Sequence, residues 1–139
     1  NKETDLFYVC SLIEYIGRER KLRRADVVAA LGEETIRRIY RHADTFHCEQ
    51  IAKVADDFIT LRSIPSGDFD NVAKCRYAVP GYWDIGAVYA RLIDDVSDGA
   101  DPVSKLLEVY ASWMSDALSR FNSDLFYQSR GYIAECYRA

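Results

Sequence analysis

Apolar residues recur at helical spacing from Asp101 to Phe121. They follow the i, i+3, i+4, i+7 pattern at Val103, Leu106, Leu107, Tyr110, Trp113, Met114, Ala117, Leu118 and Phe121. This spacing predicts one amphipathic helix with a wide buried face. Asp101 is suited to cap the first free N–H groups, and Pro102 occupies the helical position where a missing donor costs little. We interpret residues 101–121 as the axial helix of an all-α domain.

The same periodicity recurs along most of the chain. It predicts further helices over residues 4–17, 25–31, 33–42, 44–61, 82–96 and 123–138, with a short helical piece around 69–77. Helix 4–17 is apolar almost all round, which is typical of a helix that is central in its fold or covered by a partner. No stretch shows the alternation typical of a β-strand.

The length and composition indicate a single domain. The chain has 139 residues, of which 49% are hydrophobic and 29% charged, as in ordinary globular domains. A helical half at residues 1–61 is joined to a second at 69–139 by the loop 62–68, which contains Ile64, Pro65, Ser66 and Gly67. Because the loop is short, we expect both halves to share one core. The prediction is a compact all-α bundle of six to eight helices.

Cysteine usage and hydropathy favour a cytoplasmic protein. Cys10, Cys48, Cys75 and Cys136 are widely spaced and form no CxxC pair, so we expect buried, reduced thiols. There is no secretory signal pattern, and no apolar run approaches the roughly 18 residues that span a bilayer.

Motifs that would indicate catalysis or cofactor binding are weak or missing. Asp94, Asp95 and Asp98 spell DDxxD and resemble the aspartate-rich motif of isoprenyl diphosphate and terpene synthases, but a second metal-binding motif is lacking. His42 and His47 share no helix face, and Cys48 beside His47 leaves a metal site without a fourth ligand. Phosphate-binding loops and nucleophile elbows are absent. We therefore predict no enzymatic activity, no metal and no cofactor.

Aromatic residues are unusually frequent, with ten Tyr, six Phe and two Trp making up 13% of the chain. Several lie at the edges of the apolar stripes: Tyr8, Tyr15, Tyr77, Tyr82, Trp83, Tyr127 and Tyr137. Tyr and Trp carry much of the binding energy at protein interfaces. We predict that Tyr8, Tyr15, Tyr82 and Trp83 contact a protein partner or a second copy of the chain. The alternative is that these rings cap an ordinary core with their polar ends in water.

Residues 23–41 have the layout of a helix-turn-helix, with Arg37, Arg38 and Arg41 on the second helix. These three are the predicted nucleic-acid contacts in that reading. The second helix begins with Glu33 and Glu34, however, where a recognition helix usually contacts bases. The net charge of −4 and the pI of about 5.2 also disfavour binding to nucleic acid by electrostatic attraction.

Residues 3–61 resemble a short bacterial all-helical domain family of unknown function. The resemblance rests on Phe7-Tyr8-Val9-Cys10, Glu14-Tyr15, Leu22, Val27, Tyr40, Ala43-Asp44-Thr45-Phe46-His47 and Val54-Ala55-Asp56-Asp57-Phe58-Ile59. Family members are often encoded near toxin-like ADP-ribosyltransferases, which implies an antitoxin-like or regulatory role without assigned catalytic residues. Residues 65–139 lie outside the resemblance. The expected function is a non-catalytic protein-interaction module; the alternative is a DNA-binding regulator.

Overall fold

The computed structural model describes all 139 residues as helices joined by turns and loops. The α-helices are α1 (Lys2–Arg20), α2 (Arg24–Leu31), α3 (Glu33–Arg41), α4 (Ala43–Phe46), α5 (Ile51–Arg62), α6 (Tyr82–Ser97), α7 (Pro102–Ala111), α8 (Trp113–Leu118) and α9 (Arg130–Arg138). A 3₁₀ turn covers Leu125–Tyr127. The prediction of an all-α bundle is confirmed.

The central helix is α1, which contacts α2 through α6. It runs antiparallel to α6: Lys2 pairs with Asp94 at one end, and Arg18 donates to the Pro80 carbonyl at the other. The helices approach closely at Gly86, where a Cβ atom would lie 2.8 Å from the Ser11 backbone nitrogen. Only glycine fits this crossing without moving the backbone.

The predicted axial helix over residues 101–121 is wrong, because the chain breaks at Ser112. Ser112 is extended, and its hydroxyl accepts a hydrogen bond from the Met114 N–H at 3.2 Å. The helix therefore ends at Ala111 and α8 restarts after a new cap. The apolar spacing continues through the break because both short helices bury their faces in one core.

Three other predicted boundaries also differ. The predicted helix 44–61 is divided by a turn at 47–50, the predicted helix 123–138 begins only at Arg130, and residues 69–77 form turns. Ser129 caps α9 by accepting from the Tyr132 N–H. The divisions at 47–50 and Ser112 raise the number of helices to nine.

The core is one cluster of 34 buried residues drawn from both helical halves. The loop after α5 contributes to it through buried Ile64 and is tied to the end of α1, since the Gly67 N–H donates to the Arg20 carbonyl. No helix combines the length and apolar character that crossing a bilayer would require.

Candidate interaction surface

Aromatic side chains from α1, α6 and the turn after α4 meet around Trp83. Its ring centroid lies 5.4 Å from Phe7, 5.3 Å from Tyr82 and 5.4 Å from His47, which stacks on it. Tyr15 meets Tyr82 edge-on at 5.0 Å. We call Phe7, Tyr15, Tyr82 and Trp83, with His47 at the edge, the aromatic face. Its four large rings are half-buried and His47 is exposed, so the surface reaches solvent.

The structure brings together three of the four predicted partner-binding residues and buries the fourth. Tyr15, Tyr82 and Trp83 are in the aromatic face, whereas Tyr8 is only 1% exposed. The centroid of the Tyr8 ring lies 5.1 Å from that of His47, so Tyr8 packs beneath the aromatic face. Its hydroxyl has no hydrogen-bond partner, and burial, with a smaller effect of the Glu49 charge, raises the pKa of Tyr8 to about 12. Tyr8 is therefore a correction to the predicted contact set, because a partner cannot reach its ring.

A groove of about 470 Å³ lies beside the aromatic face, between α1 and α6. Phe7 and Trp83 form its aromatic side, and Ala87 and Ala90 supply small side chains from α6. We call it the α1–α6 groove. Its lining is mixed, because Ala90 is almost fully buried and polar and charged residues stand beside the apolar ones: Asn1, Glu3, Thr4, Asp84 and Arg91.

Carboxylates lie at the groove and influence Tyr15 at the other end of the aromatic face. Glu3 and Asp84 line the α1–α6 groove. Burial raises the pKa of Tyr15, and the nearby charges of Glu19 and Asp56 raise it further. Asp84 also caps α6 by accepting from the Gly81 N–H at 3.1 Å. We call Glu3, Glu19, Asp56 and Asp84 the acidic rim; Arg91 is the one basic side chain that lines the groove.

The three predicted nucleic-acid contacts lie together on α3. Arg37, Arg38 and Arg41 line a shallow groove with Glu34 and Thr35. Arg37 pairs with Asp101 at 2.7 Å and with Glu33 at 2.8 Å. Hydrogen bonds from Arg37 and Ser104 lower the pKa of Asp101 to about 2.

The charge of the α3 groove is thus partly neutralised within the chain. Arg38 lies over the Phe58 ring at 5.9 Å, and Arg41 forms no ion pair. The groove therefore presents two arginines, Arg38 and Arg41, that form no ion pair with a carboxylate of the chain.

The residues weighed for metal chemistry serve other contacts. Asp95 pairs with Arg130 at 2.8 Å, and Asp94 with Lys2 at 3.3 Å. The Cys48 thiol donates to the Asp44 carbonyl, and all four cysteines are free. No three His, Cys, Asp or Glu side chains are grouped so that they could hold a metal ion.

Sequence reasoning missed a buried polar network at Glu14. Its carboxylate accepts from Arg24 at 2.9 Å through both oxygens and from Arg18 at 2.8 Å. Arg24 also donates to the Asn71 side chain at 3.2 Å, and Asn71 donates to the Ser119 carbonyl at 2.9 Å. The members come from distant segments, so no spacing in the sequence signals them.

The charged and polar groups of the Glu14 network are paired with one another by hydrogen bonds. Burial alone would raise the pKa of Glu14, but hydrogen bonds and charges from Arg24 and Arg18 outweigh it and lower the pKa. The network therefore joins α1 to α2 and to the segments that contain Asn71 and Ser119.

No protein-family model, curated protein or solved structure matches this chain.

Proposed function

We propose that this chain is a non-catalytic interaction module that binds a different protein through the aromatic face. The observation that carries the proposal is the gathering of four half-buried aromatic rings from α1 and α6 beside an open groove. Clustered Tyr and Trp side chains supply large contact areas at low conformational cost and dominate many interfaces. The resemblance of residues 3–61 supports an antitoxin-like or regulatory version of this role.

Charge favours a different protein over a second copy as the partner. A two-fold contact would place the same patch on both subunits. It would bring the acidic rim of one copy against that of the other, and like charges across an interface are unfavourable. The net charge of −4 adds to that repulsion.

Site-specific photo-crosslinking tests the proposal. A photoreactive phenylalanine analogue replaces Tyr82 in the full chain, expressed in cells of the source organism. The matched control places the same analogue at Tyr127, which is 68% exposed and lies outside the aromatic face. We expect a discrete adduct with one protein from position 82 and none of that adduct from position 127. Absence of any adduct at position 82, or the same adduct at both positions, would contradict the proposal.

DNA binding remains the alternative prediction, favoured by one observation: Arg37, Arg38 and Arg41 line the same groove. If that groove binds phosphate, Asp101→Asn should tighten binding because it frees Arg37 while asparagine still caps α7. Fluorescence anisotropy with mixed-sequence duplex DNA measures this at several salt concentrations. Under the proposed function we expect no salt-dependent binding by either the parent chain or Asp101→Asn.

A further inference from the structure

We infer that a cavity outside the aromatic face binds a small aromatic carboxylate. The cavity measures about 400 Å³ and lies between two irregular segments, residues 69–74 and 119–123. It shares no lining residue with the aromatic face or with the α1–α6 groove. The inference therefore goes beyond the proposed function and stands independently of it.

The two segments are joined to each other by side chains that also line the cavity. The Asn71 side chain donates to the Ser119 carbonyl at 2.9 Å. The Asn122 side chain donates to the Lys74 carbonyl at 3.1 Å and accepts from the Arg76 N–H at 2.8 Å. Because these bonds fix the spacing of the segments, the cavity is preformed, as small-molecule sites usually are.

The connection from α5 to α6 supplies one wall of the cavity. It covers residues 63–81 without a helix or a strand, and connections longer than about 15 residues without secondary structure are uncommon in compact domains unless they have a function. Its backbone is nevertheless held in place, since the Gly67 and Phe69 N–H groups donate to the Arg20 and Lys21 carbonyls at 2.8 and 2.9 Å. A long connection that is fixed in this way and lines a cavity is typical of a binding loop.

The charges that line the cavity favour an anion. Lys74 and Arg120 are exposed, and neither forms an ion pair within the chain. The one acid in the lining is Asp70, whose carboxylate already accepts from the Ala73 N–H at 3.0 Å. Two cations therefore stand beside one engaged carboxylate, in a chain whose net charge is −4.

The Glu14 network adds positive charge behind the cavity. Its one carboxylate is shared by Arg18 and Arg24, so the network carries an excess of one positive charge. Asn71 connects the network to the cavity and is only 9% exposed. Its amide nitrogen has two hydrogens and donates one of them to the Ser119 carbonyl, so the second has no partner within the chain. A carboxylate oxygen in the cavity would satisfy it.

Two aromatic side chains favour a flat, apolar body on the anion. Phe69 and Phe121 line the cavity, one from each segment. Each ring is held by a guanidinium group, with Arg24 over Phe69 at 5.8 Å and Arg18 over Phe121 at 5.2 Å. Aromatic rings attract one another in offset or edge-on arrangements. A carboxylate carried by one or two fused rings therefore matches both the charges and the apolar sides of the cavity.

A matched set of small ligands tests the chemistry of the site. Naphthoate is the probe; naphthamide keeps the rings without the charge, and acetate keeps the charge without the rings. Proton–nitrogen NMR spectra of the full chain follow each titration, because shifted backbone amides locate the ligand. We expect naphthoate to shift the amides of residues 69–74 and 119–123. It should bind roughly tenfold more tightly than naphthamide, with acetate weakest.

A charge-matched pair of variants locates the anion. The cavity variant combines Lys74→Gln with Arg120→Gln. The control combines Arg41→Gln with Arg91→Gln, at two exposed arginines that form no ion pair and lie outside the cavity. Both lose two positive charges, so long-range attraction to the ligand changes equally. We expect the cavity variant to lose about tenfold in affinity for naphthoate and the control less than about twofold.

Several outcomes would overturn the inference. Naphthamide or acetate binding as tightly as naphthoate would remove the requirement for an aromatic anion. Absence of naphthoate binding at millimolar concentration, or shifted amides confined to other parts of the chain, would remove the site. Equal losses in the cavity and control variants would show that Lys74 and Arg120 do not hold the carboxylate. The adduct expected at position 82 depends on none of these results, so the proposed function can stand or fail separately.

Discussion

Glu14 and Tyr15 are neighbours on α1 but lie in opposite surroundings. Glu14 is charged and 1% exposed, and its carboxylate is enclosed by arginines from two helices. Tyr15 is largely apolar yet half-buried, beside carboxylates that make no ion pair. The chain completes the polar region with its own segments and leaves the aromatic region open. The polar region joins segments of the fold, and the aromatic region is the surface that we propose a partner covers.

The largest expected effect is at the closed region. Glu14→Gln should cost about 3–5 kcal/mol of unfolding free energy, because Arg24 would remain buried without its counter-charge. Glu19→Gln is the matched control on the same helix: it is exposed and unpaired, and should change stability by no more than about 0.5 kcal/mol. Urea unfolding followed by circular dichroism measures both. Equal small losses would contradict the assignment of stability to the Glu14 network.

The second-largest loss of stability is expected at Gly86, where α1 and α6 cross. Gly86→Ala should cost about 1–3 kcal/mol, because the new methyl group meets the Ser11 backbone as well as the Ser11 hydroxyl, and rotating the side chain would not relieve the backbone contact. Gly131→Ala is the control in α9, where a Cβ atom meets nothing within 4 Å. It should be neutral or stabilise by up to about 1 kcal/mol. Thermal unfolding compares the pair, and a Gly86→Ala chain as stable as the parent would show that α1 and α6 can separate without cost.

A smaller change, and a gain rather than a loss of stability, is expected for the buried Tyr8 beneath the aromatic face. Tyr8→Phe removes a buried hydroxyl without a hydrogen-bond partner, so it should stabilise the chain by about 1 kcal/mol. Tyr15→Phe, at a half-exposed ring, should leave stability unchanged within about 0.5 kcal/mol. Chemical denaturation of the two variants measures the difference. A loss of stability in Tyr8→Phe would mean that its hydroxyl is solvated or bonded in solution.

Stability should depend on pH through the Glu14 network, and only at acidic pH. The native pKa of Glu14 lies below its ordinary value of 4.5, so the unfolded chain binds more protons in that window. Its stabilising contribution is complete above that ordinary value and is lost as the pH falls through the lowered native pKa. Unfolding midpoints measured from neutral pH into this range should fall less steeply for Glu14→Gln than for the parent chain. If the midpoints of the two chains fall equally steeply, the pKa of Glu14 is the same in the folded and the unfolded chain.

Local patterns predicted several elements because their causes are local. Helices α2, α3 and α6 lie close to their predicted bounds, since their apolar spacing and end residues coincide. Ser112 was missed because the apolar spacing continues through it while its hydroxyl caps a new helix. Tyr15, Tyr82 and Trp83 reach the surface, as their positions off the stripes predict, but the same pattern does not distinguish the buried Tyr8 from them. A ring at the edge of one helix is buried or exposed according to what the rest of the chain places over it.

The helical character of the chain follows from its sequence alone, because burial of a repeating apolar face depends on neighbours three and four residues away. The central position of α1, the enclosure of Glu14 by Arg18 and Arg24, and the shared surface of the aromatic rings from α1 and α6 follow only from how the helices pack. Those arrangements join residues far apart in the chain. Their energies depend on distances and burial that exist only after the helices pack.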